Sequence, residues 1–115
     1  MGYYTSYNLN TYGSDEDKEK FEKKLLEISD EDSDVRELLT YGGVNAKLYD
    51  LEAWIQEIVR DIPNLLVVLS GDGDDSDDQW EMRWKGEAFE EHRAVMPPFQ
   101  NPELFIFFEK EQLNK

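Results

Sequence analysis

Asp50-Leu51-Glu52-Ala53-Trp54-Ile55-Gln56-Glu57-Ile58-Val59-Arg60-Asp61-Ile62-Pro63-Asn64-Leu65-Leu66-Val67-Val68-Leu69 is the stretch on which the fold turns. Its first half sets Leu51, Trp54, Ile55, Ile58, Val59 and Ile62 at i, i+3, i+4, i+7, i+8 and i+11. That spacing lines one face of an α-helix and neither face of a strand. Asp50 stands where a side-chain oxygen can cap the first turn. Pro63 stops the helix, because it brings no amide proton and its ring clashes with the preceding turn. Leu65 to Leu69 are then apolar without a break. Alternate strand residues point to opposite faces, so an uninterrupted run needs cover on both sides and predicts a central strand. A helix with one apolar face, turning tightly into such a strand, is the seed of a helix-on-sheet layer pair.

The flanking segments extend this frame. Residues 2–12 predict a strand with Tyr3, Thr5, Tyr7 and Leu9 on one face and Ser6, Asn8 and Asn10 on the other. Gly13 ends it, and Ser14 caps a helix expected over about 15–29 with Phe21, Leu25 and Ile28 as its apolar stripe. Asp15, Glu16 and Asp17 suit the positive end of that helix. Residues 30–34 form an acidic linker, residues 35–41 a short helical turn, Gly42-Gly43 a break, and residues 44–49 a short strand. Residues 70–79 read as a loop. Trp80, Met82 and Trp84 alternate with Glu81, Arg83 and Lys85, a half-buried antiparallel strand. The chain turns at Gly86 and returns as a strand over residues 87–95. Asn101 and Pro102 open a last helix that would face Leu104, Phe107 and Phe108 to the core, with a strand over residues 104–108 as the alternative. The expected architecture is α+β: one domain over residues 1–115, a two-layer sandwich of a mainly antiparallel sheet with two helices on one face and a C-terminal helix.

Composition narrows the function. The chain has 115 residues, with 27 acids against 12 bases, a net charge of −15. With no cysteine there is no disulfide, no thiolate metal site and no cysteine nucleophile. A single histidine, His92, excludes sites that need two, and its strand position beside Glu90, Glu91 and Arg93 favours an exposed or edge-strand role. The longest apolar runs, residues 65–69 and 104–108, fall far short of the roughly 20 residues that span a bilayer. The polar, aromatic start is unlike a secretory leader, so a cytosolic site in the host cell is expected and a membrane is not. Direct nucleic-acid binding is disfavoured, because an acidic surface repels phosphates. Fifteen aromatics argue against a disordered chain.

Residues 47–99 resemble a family of small acidic proteins of uncharacterised function found in bacteriophages and in bacteria carrying mobile elements. The residues that carry the resemblance are Tyr49-Asp50, Pro63, Leu69-Ser70-Gly71-Asp72-Gly73, Asp78-Gln79-Trp80, Gly86, Ala94 and Pro97 to Phe99. The family pattern is Leu-x-Gly-x-Gly-Glu-Glu-x-x-Asp-x-Trp, and Asp74 and Asp75 replace its two glutamates. The resemblance implies a fold and a phage origin, and no catalytic residue.

The charge is concentrated. Residues 15–34 hold ten acids and four lysines, and residues 72–78 hold five acids and no base. A magnitude of about 2–8 suffices for the solubility of a small domain, and the surplus costs stability through self-repulsion. Asp15, Glu16, Asp17, Glu19, Asp30, Glu31, Asp32, Asp34, Asp72, Asp74, Asp75, Asp77 and Asp78 are therefore the candidate partner-binding residues. Carboxylates on alternate residues of an extended loop stand about 6–7 Å apart, a spacing able to imitate phosphates. The favoured expectation is a non-enzymatic, phage-encoded inhibitor whose acidic surface enters the basic nucleic-acid groove of a host protein. A CRISPR effector, or a restriction or repair enzyme, is the expected partner. No nucleophile–base pair, cofactor motif or metal set is present in the sequence, so neither catalysis nor a cofactor is expected. The alternative is a calcium-binding or regulatory accessory protein. Asp72, Asp74 and Ser76 match the first ligands of an EF-hand loop, although Asp77 replaces its glycine and Arg83 its final glutamate. Such a protein could pair as a homodimer through residues 104–108.

Overall fold

The computed structural model describes residues 5–46, 48, 50–72, 79–93 and 100–106. In chain order the elements are strand β1 (Thr5–Tyr12), helices α1 (Asp15–Ile28) and α2 (Ser33–Tyr41), strand β2 (Gly43–Ala46), helix α3 (Leu51–Val59), and strands β3 (Leu66–Asp72), β4 (Gln79–Lys85) and β5 (Ala88–Arg93). A 3-10 turn, Pro102–Leu104, follows. The five strands make one antiparallel sheet in the order β2-β1-β3-β4-β5. The apolar run 65–69 thus lies in the central strand, as its two-sided hydrophobicity requires.

The pleat divides the side chains into two sets. On one face Leu9, Val44, Ala46, Val67, Leu69, Trp80, Met82 and Trp84 are buried, and they share a core with Phe21 and Leu25 of α1, Val35 and Leu38 of α2, and Leu51, Ile55, Ile58 and Val59 of α3. All three helices serve this core. On the other face Leu66 and Val68 are covered by Leu104 and Ile106. Residues 100–106 therefore act as a strap across the back of the sheet. Arg83 lies buried beneath it; its guanidinium bonds the Glu81 carboxylate at 2.6 Å and donates to the Leu104 carbonyl at 3.1 Å. A buried charge is tolerable here because it is both paired and hydrogen-bonded.

Local signals account for most boundaries. Ser14 Oγ accepts the Asp17 amide at 3.1 Å and starts α1. Asp32 accepts the amides of Asp34 and Val35 at 2.8 and 3.2 Å and starts α2. Gly42, at φ 79°, takes the left-handed conformation that closes α2, its amide donating to the Leu38 carbonyl. Gly86, at φ 61°, makes the β4–β5 turn.

Five expectations need correction. The segment 35–41 is part of a full helix, α2, so the sheet carries three helices and not two. Asp50 precedes α3 without a side-chain cap bond. The region read as a loop from Ser70 belongs in part to β3, which continues through Asp72. The described part of the expected C-terminal helix is a three-residue 3-10 turn, capped by Asn101 as expected, with its oxygen accepting the Glu103 amide at 3.0 Å. Leu104 and Ile106, offered as a dimer surface, are buried in the protein's own second core. Phe107 and Phe108 lie outside the described residues. Among the described residues, no helix is long and apolar enough to cross a membrane.

Candidate functional site

The acids of residues 15–34 do not form one cluster. Helix α1 spans 14 residues, about 20 Å at its rise per residue, and separates eight of the ten into two groups, with Glu22 and Glu27 along the helix between them. Asp15, Glu16, Asp17 and Glu19 occupy its first turns, where the helix dipole favours them. Asp30, Glu31, Asp32 and Asp34 gather at the α1–α2 junction. There Asp30 and Glu31 both take left-handed backbone, at φ 57° and 55°, and the last turn of α1 carries no base. The left-handed backbone does not favour stability, because a non-glycine residue is strained there, whereas the dipoles act in opposite senses: the end of α1 disfavours these acids and the start of α2 favours them. Asp32 is occupied as the cap of α2, and Glu31 pairs with Arg36 at 3.0 Å on the surface.

Asp72 is exposed at the end of β3, between Ser6 and Gln79 on the neighbouring strands. Asp74, Asp75, Asp77 and Asp78, and with them the calcium-loop reading, lie outside the described residues. Among the described residues, no three acids or histidines gather as metal ligands would.

Two groupings escaped the sequence reading. The first is on the helix-covered face. Register aligns Tyr7, Gly71, Trp80 and Arg93 in one row across four strands. The Trp80 indole lies over Gly71, where a Cβ atom would come within 2.2 Å of the ring. The Tyr7 ring meets it edge-on at 5.9 Å, and the Arg93 guanidinium stands 5.8 Å from its centroid. Arg93 also pairs with Glu91. Glu52, in the first turn of α3, has its carboxyl raised above the ordinary range, first by burial and then by the charge of Glu91, with Arg93 acting in the opposite sense.

The second is on the strapped face. The Glu90 carboxylate accepts the backbone amides of Gln100 and Asn101, at 3.0 and 2.6 Å, and meets His92 Nε2 at 3.1 Å. Burial alone would raise the Glu90 carboxyl; the two amides and the imidazole outweigh it and hold it below the ordinary range. Glu90 thus ties the strap to β5. His92, expected as an edge-strand residue, is half-buried on β5 and serves this tie. No sequence spacing marks either grouping, because each joins residues through strand pairing.

A cavity of about 400 Å³ is an open depression lined by Tyr12, Asn64, Leu66, Lys85, Pro102, Glu103 and Phe105. Glu103 is its one carboxylate among the described residues, so no acid pair is placed for proton transfer there. No protein-family pattern, curated protein or solved structure matches the chain.

Proposed function

We propose that this chain is a non-enzymatic interaction protein of phage or mobile-element origin, which inhibits a host protein by placing acidic residues in its basic nucleic-acid groove. A CRISPR effector is the concrete candidate; a restriction or repair enzyme fits the same chemistry. The observation that carries the reading is charge kept against stability. A net −15 on 115 residues includes Asp30 and Glu31, two non-glycine residues on left-handed backbone. Such placement costs folding energy and is explained by a use in binding. The acids at the start of α1, at the α1–α2 junction and in residues 72–78 would meet arginines and lysines that otherwise hold phosphates. The gain comes from counterion release and fast, salt-sensitive association. The resemblance over residues 47–99 supplies the phage setting of this proposal.

The test is capture with the tagged full chain from nuclease-treated host lysate, with washes of rising salt and with the captured protein's own nucleic acid as competitor. The expected result is a nucleic-acid-binding protein, released by moderate salt and displaced by its DNA or RNA. Capture that ignores both salt and competitor would overturn the reading.

A further inference from the structure

We propose that a cavity between α3 and the β4–β5 hairpin binds a small neutral amide, whose carbonyl oxygen accepts the Trp84 indole N–H. The inference goes beyond the acidic-interface reading and does not depend on it.

The cavity, of about 130 Å³, is lined by Gln56 and Arg60 from the α3 side and by Trp84, Gly86, Glu87 and Phe89 from the hairpin. Trp84 follows Trp80 and Met82 on the helix-covered face of β4, so its indole is the wall that meets α3. The residue is 2% exposed, and its Nε1 is a buried donor without a hydrogen-bond partner among the described residues. Such a donor keeps the whole cost of leaving water, and an acceptor placed beside it returns that cost. Phe89 supplies an apolar wall. Its ring stands 5.3 Å from the indole and is partly open to solvent. Gln56 and Arg60 add two exposed side-chain donors that bond no described residue.

Charge selects the ligand. A carboxylate would satisfy the indole N–H, but it would also meet Glu87 in the wall, the negative end of α3 and a molecule of net −15. Arg60 offsets only one of these. A neutral amide avoids the penalty: its oxygen accepts from Nε1, and its own N–H groups suit the Glu87 carboxylate. Size agrees. A water molecule takes about 30 Å³ of liquid, so the cavity holds about four waters or an amide of about five heavy atoms. A free amide and a glutamine side chain of another protein present the same group.

The experiment titrates the full chain with propanamide and with propanoate at matched ionic strength, following the indole N–H resonances of Trp54, Trp80 and Trp84. Trp84 is left intact, because it belongs to the core. The expected result is a saturable shift of the Trp84 resonance alone, with propanamide bound about tenfold tighter than propanoate. Gln56→Ala, on the exposed side of α3, should weaken propanamide about fivefold. Glu87→Gln should narrow the gap between the two ligands. Acetylglutamine methylamide, with its alanine analogue as control, tells the sources apart: binding of the glutamine compound alone assigns the cavity to a protein side chain, and binding of neither assigns it to a free amide. A propanamide shift that stays linear and is shared by all three indoles would overturn the site. So would a long-lived water at the Trp84 N–H that propanamide leaves in place.

Discussion

Gly71 decides more than its size suggests. It reads in sequence as the start of a loop, yet it is a β3 residue whose missing side chain admits the Trp80 indole. Nothing local marks that role, because the indole arrives from the next strand through pairing. Gly71→Ala should therefore destabilise the fold by about 1–3 kcal/mol, since the ring has to leave its contact with Tyr7. Urea unfolding reads this directly, and an unchanged midpoint would contradict the placement of the ring. Glu52 gives a second test at this scale. Its raised carboxyl means that the folded state holds the proton more tightly than the unfolded chain does. Ionised Glu52 is therefore a cost that grows as pH rises through the ordinary glutamate range and persists above it. Glu52→Gln should stabilise the protein at neutral pH, with the difference vanishing in acid.

The elements were legible where the signal was local. The 3.6-residue stripe of Leu51, Ile55, Ile58 and Val59, the Ser14 cap and the alternation of Trp80, Met82 and Trp84 all report the side that each element buries. Legibility failed for α2, where Val35 and Leu38 give too short a stripe to separate a helix from a turn. It failed again for the strap. Asn101 and Pro102 announce a helix start, but Leu104 and Ile106, two residues apart, both have to reach Leu66 and Val68, and that period needs extended chain after one turn. The strap depends on Glu90. Its lowered carboxyl contributes stability above the ordinary glutamate range, lost as pH falls through the lowered value. Glu90→Ala should speed hydrogen exchange at the Leu104 and Phe105 amides and cost about 1 kcal/mol at neutral pH. Exchange equal to the parent's would show that Arg83 and the Leu104 contact hold the strap alone.

At the scale of the whole molecule, net charge is a plain count, but its placement needs the fold. The run 15–34 reads as one acidic block, whereas α1 holds its two groups about 20 Å apart. Interfacial arginines would therefore be met at several separate points. Self-repulsion at −15 predicts that added sodium chloride raises the melting temperature, until screening is complete near physiological ionic strength and above. A salt-independent melting temperature would remove the argument that this charge is costly. The most direct test is the affinity of a neutralised chain for the captured partner. Asp15, Glu16, Asp17, Glu19, Asp30, Glu31, Asp34, Asp72, Asp74, Asp75, Asp77 and Asp78 become their amides, and Asp32 is kept because it caps α2. With folding verified by circular dichroism, we expect at least about a hundredfold loss of affinity and a flattened salt dependence. Affinity equal to that of the parent chain would contradict the acidic-surface account.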